Sequence, residues 1–336
     1  MNRTPETIDD DRSVWSALLG DGRFLLALTG VALIASGGFA LFLSVTGHFL
    51  PHDVARLGMD AQQLSRIANP SLVKFMFHDR AAFGGSLVAI GLLYLWIAEF
   101  PLRRGEAWAW WTLALSGITG FGSFLTYLGY GYLDTWHGVA TLFLLPVFLA
   151  GMLRSWRLLV GPRSWKALLK IRPSDRDSRR YRAGKILLLI YAAGLSGAGA
   201  TIMGVGMSSV FVREDLAYIG LSYVEICGLA EPLVPIIAHD RAGFGGGLWS
   251  IGLTLILLVL HAPATRSFRQ VMLLAGIAGF TMAIGVHFVI GYLDLRHLAP
   301  AFAGASIFLA GWTLMKQPAA ELRPVARTSA TDLVKA

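Results

Sequence analysis

Apolar and polar positions divide this chain into eight long apolar runs, separated by short polar turns and two longer mixed loops. Each run approaches the roughly 20 residues that a helix needs to cross a bilayer. The runs lie near Phe24–Thr46, Ala81–Phe100, Trp108–Tyr130, His137–Leu153, Ile186–Met207, Ala242–Leu260, Val271–Ile290 and Leu298–Met315. A lone strand in lipid leaves its backbone unsatisfied, so all eight are predicted as helices. In the loops Gly47–Phe77 and Ser208–Ala238, apolar residues recur at helical spacing, as at Val54, Leu57, Leu64 and Ile67. That spacing predicts short amphipathic helices lying on the membrane surface. The pattern as a whole predicts an all-α integral membrane protein.

The pattern also occurs twice. His78-Asp79-Arg80-Ala81-Ala82-Phe83-Gly84-Gly85 returns as His239-Asp240-Arg241-Ala242-Gly243-Phe244-Gly245-Gly246. Gly131-Tyr132-Leu133-Asp134 returns as Gly291-Tyr292-Leu293-Asp294, each followed three residues after its Asp by a histidine, His137 or His297. Gly117-Ile118-Thr119-Gly120-Phe121 returns as Gly276-Ile277-Ala278-Gly279-Phe280, and Asp53-Val54-Ala55-Arg56-Leu57-Gly58 aligns with Asp215-Leu216-Ala217-Tyr218-Ile219-Gly220. A period near 160 residues marks a duplicated domain, because solenoid repeats recur at roughly 20–50 residues. The expected organisation is an N-terminal segment 1–23, a first four-helix repeat 24–153, a basic connector 154–185, a second repeat 186–315 and a disordered tail 316–336. Four spans per repeat is an even number, so both copies share one orientation, about an axis along the membrane normal. The expected architecture is two tandem four-helix bundles.

Composition agrees with a membrane protein: 15% of residues are charged, against about 25% in a soluble domain. The net charge of +8 raises the question of nucleic acid, and its distribution answers it. Arg154–Lys185 holds eleven Lys or Arg against two acids, as cytoplasmic loops do. The Leu102–Gly105 turn, the Arg266/Arg269 turn and both termini fall on the same side. The basic excess thus reads as a topology signal that also suits anionic headgroups, with no nucleic-acid role. The expected location is a bacterial-type inner (plasma) membrane, both termini cytoplasmic and all four repeated histidines at the outer face. The segment Met1–Arg23 has no apolar run of signal-peptide type. The single cysteine, Cys227, excludes an internal disulfide and a thiolate metal cluster.

The repeated polar residues carry the candidate chemistry. His78 and His137 are expected to open the second and fourth helices of the first half, with His239 and His297 equivalent in the second. Each pair is then placed to bridge one planar ligand, and imidazole suits haem iron, copper or zinc. Arg80 and Arg241 suit a carboxylate or phosphate such as a haem propionate; they equally suit ion pairs with Asp134 and Asp294. Asp79, Asp240, Asp134 and Asp294 are candidate acid–base groups, and Asp79 and Asp240 equally suit helix starts. The span glycines, among them Gly37, Gly38, Gly194 and Gly279, fit close helix packing or room for a flat ligand. The halves also differ: His48 and His52 occur only in the first loop, with His52 aligned to Glu214. Trp136 aligns with Arg296, and His287 occurs only in the second half. His261 reads as a solvated loop residue.

With these residues in place, the plan resembles the haem A synthase family, whose members fuse two four-helix halves. Their histidine pairs sit at the outer ends of the second and fourth helix of each half, matching His78, His137, His239 and His297. The resemblance implies a haem in each half, one as substrate and one as cofactor, and oxidation of a methyl group. The family's glutamate three residues before the helix-two histidine is replaced here by Phe75 and Ile236, and its loop cysteine pair is absent. Three readings stand open. One is a haem-binding redox or haem-modifying protein exchanging electrons with a quinol or a periplasmic carrier. Another is a non-haem enzyme acting on a lipid or isoprenoid headgroup, with a metal on the same histidines. The third is a transporter or accessory subunit whose polar cluster is structural.

Overall fold

The computed structural model describes residues 14, 19–133, 135–170 and 178–316. Among them every regular element is helical. The first repeat contains α1 (Arg23–Thr46), α2 (Pro51–Leu57), α3 (Ala61–Ile67), α4 (Pro70–Glu99), α5 (Ala107–Ser123), α6 (Tyr127–Tyr130) and α7 (Thr135–Ser155). The second contains α8 (Arg179–Gly206), α9 (Arg213–Ile219), α10 (Tyr223–Leu229), α11 (Leu233–His261), α12 (Arg266–Ile290) and α13 (Leu295–Leu314). Seven of these are long and apolar enough to cross a membrane: α1, α4, α7, α8, α11, α12 and α13. The expected span 108–130 is broken instead, into α5, a 3-10 turn Phe124–Thr126 and the single turn α6.

Two of the long helices, α4 and α11, are buried along most of their length, and the others wrap them. The wrapping helices turn large apolar side chains outward, such as Phe42, Phe143, Ile186, Ile277 and Val289. Apolar surface on that scale needs a lipid or protein partner. Close approach of α1 to α4 depends on absent side chains: a Cβ on Gly37 would collide with the Gly84 carbonyl oxygen. In the second repeat a Cβ on Gly199 would collide with α11 at Trp249 in the same way.

The arrangement differs from two self-contained bundles. The third long helix of each repeat leaves its own half: α5 packs chiefly on α11, and α12 on α4. Ser116 of α5 and Ser250 of α11 lie 2.9 Å apart, and the Ser250 hydroxyl also donates to the Ser116 carbonyl at 3.0 Å. On the opposite side the Trp96 indole of α4 donates to Ser267 of α12 at 3.2 Å. The repeats are therefore interlocked through their third helices.

The loop helices α2, α3, α9 and α10 form a cap over one end, expected from their amphipathic spacing. Their apolar faces bury Leu57, Leu64, Ile219 and Ile226 against Phe75, Leu72 and Ile236. A second apolar core, around Leu93, Ile97, Leu255 and Leu258, fills the middle and the basic end. His261, expected to be solvated, stacks on Trp108 at 5.4 Å and bonds the Leu168 carbonyl at 3.0 Å. Within the basic connector, Trp165–Leu169 forms a 3-10 turn.

Candidate functional site: two crossed histidine clusters

Between the two apolar cores lies a polar layer, carried by the middle of α4 and α11. Neither His78 nor His239 opens its helix, because α4 begins at Pro70 and α11 at Leu233. The α4 start is set by Asn69, whose side chain accepts from the Leu72 N–H at 2.9 Å, and by Pro70 in the first turn. His78 therefore lies eight residues in, about 12 Å along the helix. Asp79 and Asp240 accordingly cap nothing; they sit buried in mid-helix.

Each arginine of the repeated motif joins the two halves. Arg80 bonds Asp53 of its own cap at 2.8 Å and Asp240 of the other repeat at 3.0 Å. Arg241 bonds Asp215 of its own cap, and reaches Asp79 of the other repeat at 3.3 Å. It also donates to the Val210 carbonyl at 2.7 Å. Val210 holds φ 63, a left-handed conformation that β-branched residues rarely adopt, so backbone strain accompanies that contact. The Tyr132 hydroxyl donates to Asp53 at 2.7 Å, and the Tyr292 hydroxyl to Asp215 at 3.0 Å. All four aspartates and both arginines are at least 94% buried. Buried charges persist only when paired and hydrogen-bonded.

Each histidine cluster joins side chains from both repeats. His78 Nε2 lies 2.9 Å from His287 Nε2, and His297 completes the group. One ring nitrogen from each of the three lies within 4.8 Å of the others. In the other half, His239 Nε2 lies 2.7 Å from His137 Nδ1, and His239 Nδ1 lies 3.1 Å from the Tyr130 hydroxyl. The expected pairs, His78 with His137 and His239 with His297, are thus exchanged. The cause is the swap of third helices: α12 lies against α4, so it brings His287 to His78.

A continuous chain of contacts supports the three-histidine group from behind. His78 Nδ1 lies 3.1 Å from Asp79, Asp79 meets Arg241, and Arg241 meets Asp215. Asp215 accepts from Tyr292, whose oxygen lies 3.1 Å from His297 Nδ1. Tyr218 of the cap stacks on Tyr292 with centroids 4.5 Å apart. Burial, and then Asp215 beside it, push the Tyr292 hydroxyl well above its ordinary pKa. It remains a donor across the working pH range.

Beneath the three histidines lies a cavity of about 750 Å³, between α4, α8, α11, α12 and α13. Its floor is apolar, with Leu255, Met272 and Phe308, and its upper wall includes Glu214, Arg241 and Arg296. Gly194 and Gly279 line it, and a Cβ on either would meet no atom within 4 Å. These glycines clear space, whereas Gly37 and Gly199 serve close packing.

Among the expected site residues, His78, His297, Asp79 and Arg241 meet around one cluster, while His239, His137, Asp240 and Arg80 belong to its counterpart. Neither arginine pairs with Asp294, which instead caps α13 by accepting from the His297 N–H at 2.8 Å. Asp134 lies outside the described residues. Sequence reasoning passed over Asp53, Asp215, Tyr132 and Tyr292, although all four stand in the repeated segments. It also left His287 unassigned, since a residue without a counterpart in the repeat carries no duplication signal. Compared with protein-family models, curated proteins and solved structures, the chain matches none.

Proposed function

We propose that the chain is a multi-pass membrane metalloprotein, with one transition-metal ion held by His78, His287 and His297 for chemistry on a lipid-soluble molecule. The convergence of three imidazoles from three helices carries this reading. Imidazole donors suit zinc, copper, iron or nickel. With metal–nitrogen bonds of about 2.0–2.1 Å, tetrahedral ligands stand roughly 3.3 Å apart, a small expansion from the 2.9 Å between His78 and His287. The carboxylate and phenol behind the ring nitrogens, Asp79 and Tyr292, are the kind of outer partner that orients metal-bound histidines. Charge favours a cation as well. Asp79 and Asp215 both bond the guanidinium of Arg241 beside the cluster. Three neutral ligands leave a coordination position open, where a bound divalent ion would supply Lewis acidity and a water ionising near pH 7.

Haem is the second reading. The crossed pairs stand at hydrogen-bond distance and leave no gap for a porphyrin between their rings. The glycine-lined cavity favours a macrocycle at its side instead, with a single histidine ligand. In either reading α5 with α6 supplies the eighth span, and the capped end faces outward, opposite the basic connector.

Metal analysis of the purified protein, reconstituted separately with zinc, copper and iron, tests the proposal. One equivalent is expected, lost in His287→Ala and His297→Ala and kept in His137→Ala. A metal-free wild type after all three treatments defeats it. A Soret band with sharp reduced bands transfers the assignment to haem.

A further inference from the structure

Three of the aligned positions at which the two repeats differ line this cavity. His287 stands where the first repeat has Tyr127, Glu214 where it has His52, and Arg296 where it has Trp136. These three changes give the cavity wall side chains that the first repeat does not carry at the aligned positions.

The cavity opens sideways. Helices α8 and α13 touch at Gly184 and Gly311, where a Cβ on Gly184 would come within 2.8 Å of the Gly311 carbonyl oxygen. Further along, the lining residues Ile190, Gly194, Ala198 and Thr201 of α8 and Ala303 of α13 are exposed. The opening therefore faces the apolar surface of the molecule, in the half of the span nearer the cap. An opening on that face suits a ligand that enters from the lipid phase.

The walls then select the head of that ligand. Arg296 is exposed at the mouth, with no carboxylate within ion-pairing distance among the described residues. Arg241 is already neutralised by Asp79 and Asp215. Glu214 contributes one negative charge, against Arg296 and the two charges of a divalent ion on the histidines. A guanidinium beside such an ion favours a phosphate, which it binds through two parallel hydrogen bonds. Below the head, apolar and glycine-lined walls fit a chain, and about 750 Å³ falls within the 300–1,000 Å³ of small-molecule sites.

We propose that the cavity binds a single-chain lipid phosphate, prenyl or alkyl, entering between α8 and α13 with its phosphate at Arg296 and the three-histidine metal and its chain toward Leu255 and Met272. The inference rests on the metal-site reading, and the test separates the two. Binding of farnesyl phosphate, dodecyl phosphate, farnesol and dodecyltrimethylammonium is measured by native mass spectrometry, on zinc-loaded full-length protein in a neutral detergent. Metal content is read from the same samples. Both phosphates are expected to bind at least tenfold tighter than farnesol or the ammonium, and Arg296→Gln to remove that preference. The ratio of farnesyl to dodecyl phosphate binding tells a prenyl from an alkyl chain. Gly194→Leu and Gly279→Leu, each built into open space, are expected to abolish lipid binding while keeping one zinc. Equal binding of farnesol, or phosphate binding untouched by Arg296→Gln and both leucine variants, overturns the proposal. Zinc bound without phosphate preference refutes the lipid alone; Arg296-dependent phosphate binding without metal refutes the metal alone.

Discussion

Tyr292 shows how much one side chain does here. Its hydroxyl holds Asp215 at 3.0 Å and lies 3.1 Å from His297 Nδ1, so it links the cap to a proposed ligand. Outer partners of metal-bound histidines are worth about 10–100-fold in metal affinity. Tyr292→Phe is therefore expected to weaken zinc binding by that factor with unchanged helix content, measured by chelator competition and circular dichroism. An affinity unchanged within twofold denies Tyr292 the positioning role. The residue was legible in the sequence as part of a repeated Gly-Tyr-Leu-Asp element. Its role was not, because its partner Asp215 lies 77 residues away on a helix that reads as a surface element. Asp53 and Asp215 face inward on short helices whose spacing shows amphipathicity without showing how deeply the face is buried.

At the scale of elements, the spans were legible because apolar length alone specifies them. Their true starts were not, since Asn69 and Pro70 begin α4 eight residues before the motif that looked like its opening. The glycines sort themselves only in three dimensions. Gly37 faces the Gly84 carbonyl and Gly38 faces open space, although they are neighbours in sequence. Gly37→Leu is expected to lower stability by about 1–3 kcal/mol or more, as overpacking does. Gly38→Leu is expected to change it by less than about 0.5 kcal/mol, as a substitution away from packed contacts does. Thermal unfolding followed by tryptophan fluorescence decides; equal midpoints for the two variants would contradict the α1–α4 packing described above.

For the whole molecule, the duplication was plain in the sequence, but the exchange of third helices was invisible. Two identical patterns say nothing about which copy supplies which neighbour. Either half expressed alone lacks part of each histidine cluster. The fragments 1–170 and 171–336 are expected to be unstable apart and to assemble when co-expressed, with one zinc per pair by size-exclusion chromatography and metal analysis. A monodisperse, metal-binding half on its own would contradict the interlocking. The pairing of His78 with His287, and of His239 with His137, has a further consequence. A free-standing chain with only one repeat would complete its histidine clusters by dimerising, and symmetry would force the two clusters to be alike. Fusion into a single polypeptide lifts that constraint. One cluster is then free to hold a third imidazole beside the cavity, while its twin keeps the His239–His137 contact.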